Sequence, residues 1–282
     1  MTSSDTPCVP GRTFPLAVAP NGARRTAADH PALPLDAKAL ATTAIAVADL
    51  GASVLHLHVR DTRGRHVLDA DRYREASRRI RDLVGDRLVV QITTEAVGQY
   101  LPEAQIAVVQ AVRPEAVSLA LKELCAGADD EARFAAFLSW LRRERVTPQI
   151  ILYDPREVAR LNDMVDRGLL PAPEVLYVLG RYADGGLSSP PDLLPFLAMA
   201  GGRYPDFTVC AFGYREAACT AAGVLLGGGA RVGFENNLQF PDGSIAPDNA
   251  ALVRALVGPL ADMGYRPETV DDLRERMAAR FA

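Results

Sequence analysis

The chain has 282 residues, of which 49% are hydrophobic and 23% charged, so it is long enough for one large globular domain or two small ones. Its formal net charge of -4 indicates no broad basic surface, and a nucleic-acid partner is therefore not expected. No segment approaches eighteen uninterrupted apolar residues, so no membrane span is predicted.

Residues 1–12 are polar, contain proline and lack the apolar run of a signal peptide, which predicts a short disordered lead ahead of one domain over 13–282. The four cysteines contain no C-x-x-C pair and no framework spacing. This usage fits reduced thiols, so we expect a cytoplasmic protein.

Short apolar runs alternate with longer helical patterns along nearly the whole chain, as expected for parallel βα units. We predict strands over 14–19, 53–59, 88–93, 116–119, 149–153, 174–179, 207–211 and 231–235. We predict helices over 36–50, 71–84, 102–112, 129–143, 155–167, 190–200, 215–226 and 247–263, and an extra amphipathic helix over 267–281.

Eight strand and helix pairs in a chain of this length predict an α/β fold, specifically a single-domain (β/α)8 TIM barrel with an extra C-terminal helix. A doubly wound open sheet is the alternative. It would normally carry a glycine-rich dinucleotide turn after its first strand, and Ala19-Pro20-Asn21-Gly22-Ala23 is not such a turn.

In a barrel, functional side chains gather at the C-terminal ends of the strands. His56 and His58 stand two residues apart on the second predicted strand, so both imidazoles should face the same way, as a pair of metal ligands would. Two polar residues on a solvated strand face are the plain alternative. The other polar residues at predicted strand ends are Thr93, Thr94, Glu95, Ser118, Tyr153, Arg231 and Glu235.

The eighth predicted strand offers a third ligand. Arg231, Gly233 and Glu235 alternate along it and should share a face, with Glu235 nearer the barrel mouth. Two histidines and one carboxylate with an open position suit a catalytic Zn(II) that acts as a Lewis acid. Glu235 could instead simply pair with an arginine. An inward Arg231 needs an anion, a carboxylate or a substrate carboxylate to offset its burial.

Several motifs together resemble those of the β-keto acid cleavage enzymes, over nearly the whole chain from Leu16 to about Leu256. They are Asn21-Gly22-Ala23 with Thr26, His30-Pro31-Ala32-Leu33-Pro34, Gly51-Ala52-Ser53, His56-Leu57-His58-Val59-Arg60, Gln91 with Thr93-Thr94, and Arg231-Val232-Gly233-Phe234-Glu235-Asn236-Asn237.

The resemblance implies a (β/α)8 barrel, a homotetramer, and Zn(II) held by His56, His58 and Glu235. It also implies an acyltransferase reaction in which a β-keto acid and acetyl-CoA yield acetoacetate and a new acyl-CoA. We expect the substrate-binding residues to be Asn21, Arg24, Thr93, Thr94, Ser118 and Tyr153.

The chain departs from the family pattern directly after the glutamate ligand, where the family's type enzyme has an aspartate base and this chain has Asn236. An asparagine cannot accept a proton at physiological pH. Either another group serves as the base, for which Glu95 is our candidate, or the metal and Arg231 acidify the substrate enough for water to act as the base.

Two further departures concern the substrate tail. Arg24 and Ile151 stand where the type enzyme has carboxylates that hold an ammonium group. Because a cationic tail would lack a counter-charge here, we expect a β-keto acid with a neutral or anionic tail.

Three other functions remain open at this level. A metal-dependent hydrolase would need further histidine or aspartate ligands, and His30 and His66 lie on early loops. A Schiff-base aldolase would need an inward lysine, for which Lys122 is the candidate. The third alternative is a non-catalytic barrel that binds an acyl-CoA or a keto acid. Asn236 is compatible with this function, because it replaces the aspartate base of the type enzyme.

Overall fold

The structure is a computed structural model that describes residues 12–181 and 187–281. Nearly all of the predicted N-terminal lead, and Cys8 within it, lies outside the described residues. Arg12, the last residue of that lead, begins a short strand, β1 (Arg12–Phe14).

Among the described residues, eight parallel strands form a closed barrel in which each strand pairs with two neighbours. This confirms the predicted (β/α)8 architecture and excludes the open doubly wound sheet. In chain order the barrel strands are β2 (Leu16–Val18), β3 (Val54–Leu57), β6 (Val89–Thr93), β7 (Ala116–Ala120), β8 (Thr147–Leu152), β9 (Glu174–Leu179), β10 (Phe207–Ala211) and β11 (Gly229–Val232).

Helices surround the barrel and bury one face against it. Several begin with a capping residue, such as Asp69 ahead of α2 and Asp154 ahead of α6, whose carboxylates accept backbone N–H groups. The helices are α1 (Ala37–Ala48), α2 (Ala70–Val84), α3 (Pro102–Val112), α4 (Leu121–Leu124), α5 (Glu131–Glu144), α6 (Pro155–Asp166), α7 (Leu194–Ala200), α8 (Glu216–Leu225), α9 (Asn249–Asp262) and α10 (Val270–Ala279).

The predicted extra helix is α10, and it closes the N-terminal end of the barrel. Leu273 and Met277 of α10 pack on Val89 and Ala116, which begin two barrel strands. A strand before this helix, β12 (Tyr265–Pro267), pairs in parallel with β1 outside the barrel. The opposite, C-terminal end therefore remains for the site. Every described helix is too short or too polar to cross a bilayer.

Two short strands that the sequence pattern did not predict follow the histidine strand. They are β4 (Val59–Arg60) and β5 (His66–Val67), which form an antiparallel hairpin at the C-terminal end of the barrel. The hairpin extends the loop after β3, so it forms part of the wall around the barrel mouth.

The predicted eighth strand, 231–235, is shifted in the structure. β11 ends at Val232, and Gly233 has a φ of +135°, after which the N–H groups of Asn236 and Asn237 donate to the Gly233 carbonyl. A Cβ at Gly233 would lie 2.5 Å from the Ala19 carbonyl oxygen. Gly233 must therefore be a glycine, because its backbone lies too close to the Ala19 backbone for any side chain to fit.

Candidate metal centre and active-site cavity

The imidazoles of His56 and His58 and the carboxylate of Glu235 converge at the C-terminal mouth of the barrel. The two Nε2 atoms are 3.2 Å apart, and Glu235 Oε2 lies 3.5 Å from His56 Nε2 and 3.2 Å from His58 Nε2. Both histidines are about 1% exposed or less. Three lone-pair donors therefore face one another in a buried position.

These distances fit a bound metal ion. Ligands that lie about 2.0–2.1 Å from a tetrahedral ion are roughly 3.3 Å from one another, which is close to the separations of the three donors. Glu235 Oε2 accepts no hydrogen bond from the described residues, although it is buried. A cation is what would satisfy this oxygen and keep the two facing nitrogens together.

Burial and one hydrogen bond prepare His56 for metal binding. Burial lowers the pKa of His56 to about 3, so its imidazole is neutral at physiological pH. Its Nδ1–H donates to Gln91 Oε1 at 2.8 Å, which leaves the Nε2 lone pair directed at the centre. Gln91 is held in turn by Gln149, to whose Oε1 its amide donates at 3.4 Å.

Glu235 reaches the centre from the turn after β11 instead of from the strand itself. Burial alone would raise its pKa, but the Arg231 guanidinium beside it holds the pKa of this carboxyl well below its usual value. Arg231 Nη2 lies 3.2 Å from Glu235 Oε1, and the guanidinium is only 3% exposed. Glu235 is therefore an anion with one oxygen on Arg231 and the other on the histidines.

Two buried polar side chains hold this turn. Glu216, at the start of α8, accepts from the Gly233 N–H at 3.0 Å and from Asn237 Nδ2 at 3.3 Å. Asn249, at the start of α9, accepts from the Phe234 N–H at 2.8 Å. The position of Glu235 thus depends on α8, which precedes it in the chain, and on α9, which follows it. The sequence around Glu235 does not reveal this dependence.

A cavity of about 160 Å³ opens from the centre toward solvent. One side of it is polar and the other is apolar, so it can take a molecule with a charged head and a less polar tail. The polar lining residues are Asn21, Arg24, His56, Thr93, Glu95, Arg231 and Glu235. The apolar lining residues are Ile151, Val178 and Phe212.

Glu95 is the second carboxylate among the described residues that line the cavity. Its Oε2 lies 3.8 Å from His58 Nδ1, and its Oε1 lies 3.9 Å from Arg24 Nε and 3.8 Å from Arg181 Nη2. The side chain is 19% exposed. Glu95 therefore faces the cavity beside the metal centre without a close hydrogen bond from these three partners.

The three hydroxyl residues predicted to bind substrate have different surroundings. Thr93 lines the cavity, and its Oγ1 accepts from the Glu95 N–H at 3.0 Å. Thr94 Oγ1 donates to the Ser118 carbonyl at 3.1 Å, and Thr94 does not line the cavity. Ser118 is buried on β7 opposite Thr93, and its Oγ has no hydrogen-bond partner among the described residues.

Asn21, Arg24 and Tyr153 all line the cavity. Asn21 is fully buried, and its amide donates to the His58 carbonyl at 2.8 Å, so it also fixes the backbone at a metal ligand. The Arg24 side chain is 60% exposed at the rim. Tyr153 stacks beneath Lys122, whose Nζ lies 3.8 Å from the ring centroid.

Asn236 is close to the centre in sequence but not in the cavity. It is fully buried, its amide has no partner among the described residues, and it does not line the cavity.

Sequence reasoning did not select Arg25, Arg181 or Phe212, which also line the cavity. Arg181 lies two residues after the end of β9 and Phe212 directly after the end of β10, so the rule that strand ends form the site could have identified both. Arg25 donates to the carbonyls of Phe234 and Asn236. Only the tertiary structure reveals that pairing.

The residues on which the alternative functions depend lie elsewhere. His30 Nε2 pairs with the Ala246 carbonyl and His66 Nε2 with the Glu95 carbonyl, both at 2.9 Å, so neither joins the ligand cluster. Lys122 does not line the cavity. The described geometry thus adds nothing in favour of a hydrolase with extra histidine ligands or of a Schiff-base aldolase.

The fold is similar to that of a solved enzyme structure, the apo structure of ObcA. The TM-score is 0.68 at 16% sequence identity, and the match covers 88% of this chain and 66% of that chain. At this identity the likeness concerns the fold alone.

Two relatives match most of the chain in sequence. A 3-keto-5-aminohexanoate cleavage enzyme of Acetoanaerobium sticklandii is 28% identical over 90% of this chain and 94% of its own length. A 3-dehydrocarnitine:acetyl-CoA trimethylamine transferase of Rhizobium meliloti is 28% identical over 93% of this chain and 95% of its own length.

Residues 14–278 match the family described as beta-keto acid cleavage enzyme. The match includes all three residues of the metal cluster and the whole barrel, and it confirms the resemblance inferred from the motifs. The chain belongs to the beta-keto acid cleavage enzyme family.

Proposed function

We propose that the protein is a Zn(II)-dependent enzyme that converts a β-keto acid and acetyl-CoA into acetoacetate and a new acyl-CoA. The observation that carries the proposal is the cluster of His56, His58 and Glu235, which opens into a cavity with a second carboxylate, Glu95, beside it. The membership of the chain in its family and the acetyl-CoA transferase among its relatives support the same reaction class.

A bound Zn(II) ion would polarise the ketone and carboxylate oxygens of the substrate and so acidify the carbon between them. His56, His58 and Glu235 would supply three ligands and would leave the side of the ion that faces the cavity open to the substrate. Both histidines are buried, so water has little access to the protein side of the centre.

Glu95 is the proposed base. It removes a proton from the carbon between the carboxylate and the ketone, and that carbon forms a bond to the thioester carbonyl of acetyl-CoA as the CoA thiolate leaves. The thiolate then adds to the substrate's own ketone carbon, and the bond between that carbon and its acidified neighbour breaks. Acetoacetate takes back the proton from Glu95, and the acyl-CoA is the second product.

Arg231 stabilises negative charge in this scheme. Its Nε and Nη1 atoms have no hydrogen-bond partner among the described residues, whereas Nη2 contacts Glu235 and Cys210 Sγ. A buried guanidinium that lines the cavity and has two nitrogen atoms without a partner among the described residues is suited to a substrate carboxylate or to the charge that develops on it. Thr93 lines the same region and is a second candidate donor.

The cavity supports a neutral or anionic substrate tail. Its apolar side consists of Ile151, Val178 and Phe212, which a neutral tail would contact. Both lining carboxylates face arginines, Glu235 with Arg231 and Glu95 with Arg24 and Arg181. A cationic tail would therefore lose hydration without gaining an unopposed carboxylate.

The test is a panel of β-keto acids, each incubated with acetyl-CoA while acetoacetate is followed, together with metal analysis of the purified protein. We expect about one Zn(II) per chain, and a kcat/KM at least roughly tenfold higher for 3-oxohexanoate or 3-oxoadipate than for 3-keto-5-aminohexanoate or dehydrocarnitine. Arg24→Glu should reduce this ratio of kcat/KM values, because it adds a carboxylate at the rim of the cavity.

The two parts of the proposal fail separately. A preparation without transition metal that still produces acetoacetate would remove the metal from the scheme. A preference for either cationic substrate would overturn the charge argument. If no β-keto acid in the panel gave acetoacetate while the protein bound acetyl-CoA, the non-catalytic binding function would replace the enzymatic one.

A further inference from the structure

A second groove lies beside the catalytic cavity on the same end of the barrel. It has a volume of about 600 Å³ and lies between the loop after β2, the β4–β5 hairpin and the loop after β6. Ala23 and Arg24 line both the groove and the cavity, so the two adjoin at the rim. An extended molecule could therefore occupy both at once.

The groove is basic. Four arginines and a single aspartate are among its lining residues, and the groove also includes His66. Burial lowers the pKa of His66 to about 3, so this histidine adds no charge. The arginines are Arg24, Arg60, Arg63 and Arg65, and the aspartate is Asp61.

Two of these arginines are exposed at the hairpin. Arg65 is 69% exposed, and its Nε and Nη2 lie 2.8 Å and 2.7 Å from Asp61 Oδ2, so a ligand would share this guanidinium with Asp61. Arg63 is exposed and takes part in no ion pair with a described residue. Arg60 has a different role, because it is buried and donates to the carbonyls of Gly22 and Gly64. The exposed positive charge of the groove thus comes from the hairpin tip and the rim.

The groove floor is close to the metal centre. The His66 ring lies 5.2 Å from the His58 ring between centroids, and Tyr100 meets His66 edge-on at 6.3 Å. One aromatic ring therefore separates the groove from a metal ligand. A ligand anchored at Arg63 and Arg65 could extend across Ala23 and bring its other end to the cavity.

We propose that this groove binds the nucleotide part of acetyl-CoA, with Arg63 and Arg65 contacting its phosphate groups and the pantetheine arm crossing Ala23 into the cavity. The inference rests on the proposed function, which requires a thioester at the metal centre and hence a site for its polyanionic head nearby. Arginine guanidinium groups bind phosphate oxygens through paired, charge-assisted hydrogen bonds.

The experiment compares acetyl-CoA with S-acetylpantetheine, which carries the same thioester without the nucleotide. The double variant Arg63→Ala and Arg65→Ala should raise the KM for acetyl-CoA at least roughly tenfold, because two charge-assisted contacts are lost, and leave the KM for S-acetylpantetheine unchanged. The matched control is Arg79→Ala on α2, an exposed arginine that also forms an i,i+4 ion pair, with Glu75. It should change neither KM.

Arg215 ahead of α8 is the competing anchor, because it stands at a helix N-terminus on the same end of the barrel. A normal KM for acetyl-CoA in the double variant overturns the proposal, as does a rise in KM that appears only in Arg215→Ala. An equal rise for both thioesters would also overturn it, because the effect would not involve the nucleotide.

Calorimetric titration of CoA into the wild-type protein and the double variant separates this inference from the proposed function. One outcome is that the wild type binds CoA, that the double variant binds CoA at least tenfold more weakly, and that neither protein produces acetoacetate. This outcome supports the CoA site in the groove and contradicts the proposed reaction. If turnover is normal but CoA affinity is equal in both proteins, the proposed reaction is supported and the CoA site in the groove is contradicted. Absence of CoA binding in the wild type overturns the groove assignment.

Discussion

Gly22 lies directly against Glu235, the proposed metal ligand, and we predict that Gly22→Ala weakens metal binding. A Cβ at this position would lie 2.6 Å from Glu235 Cγ and 3.1 Å from Glu235 Cβ. Carbon atoms in contact are normally about 3.5–4.0 Å apart, so the glutamate side chain must move by about 1 Å. Metal sites tolerate ligand shifts of only about 0.2 Å. We therefore expect a loss of roughly 10–100-fold in Zn(II) affinity, as for other changes that disturb ligand orientation.

The backbone contribution can be separated with a matched control. Gly22 has a φ of +61°, and Gly201 at the end of α7 has a φ of +57° with no atom near its added Cβ. An alanine at either position costs about 1 kcal/mol in backbone conformation, which lowers the melting temperature by about 2–4 °C. Gly201→Ala should show this loss of stability and bind metal normally.

Zn(II) affinity is measured by competition with a chromophoric chelator, and the melting temperatures of the metal-free proteins by calorimetry. The expected result is a similar fall in melting temperature for the two variants and weaker Zn(II) binding for Gly22→Ala alone. If Gly22→Ala binds Zn(II) as tightly as the wild type and Gly201→Ala do, Glu235 is not held as a ligand at this position.

Three further variants test individual side chains of the site. Glu95→Gln should lower kcat by about 10²–10⁴-fold with normal metal content, because it removes the proposed base; unchanged kcat would exclude Glu95 from that role. Arg231→Lys should lower kcat/KM at least about tenfold with little change in melting temperature, because lysine lacks the planar guanidinium fork; normal kinetics would leave Arg231 a structural residue. Gln91→Leu should weaken Zn(II) binding by roughly 10–100-fold, because the Nδ1–H of His56 loses its acceptor; a Zn(II) titration that matches the wild type would show that this hydrogen bond does not orient the ligand.

The sequence by itself predicted the barrel and all three residues of the candidate metal centre, His56, His58 and Glu235. Apolar runs alternating with helical patterns predicted eight strands, and all eight are present with ends shifted by a few residues. The spacing of His56 and His58 placed both imidazoles on one face, because successive side chains of an extended segment point to opposite sides. His58 in fact lies just past the end of β3, where the backbone is still extended enough to keep this relation.

The tertiary structure decided how the rest of the site is assembled. The sequence pattern placed Glu235 on a strand by alternation, whereas it comes from a turn that Gly233 makes possible and that Glu216 and Asn249 hold. Asn236 follows Glu235 directly, yet its side chain is buried outside the cavity.

Glu95 illustrates why these positions could not be derived from local patterns. It meets Arg24 from the loop after β2 and Arg181 from the end of β9, and these residues are neighbours only because the sheet closes into a barrel. Periodicity determines which way a side chain points from its own strand. Contacts between residues far apart in the chain depend instead on strand register, loop course and barrel closure, which are set by packing across the whole molecule.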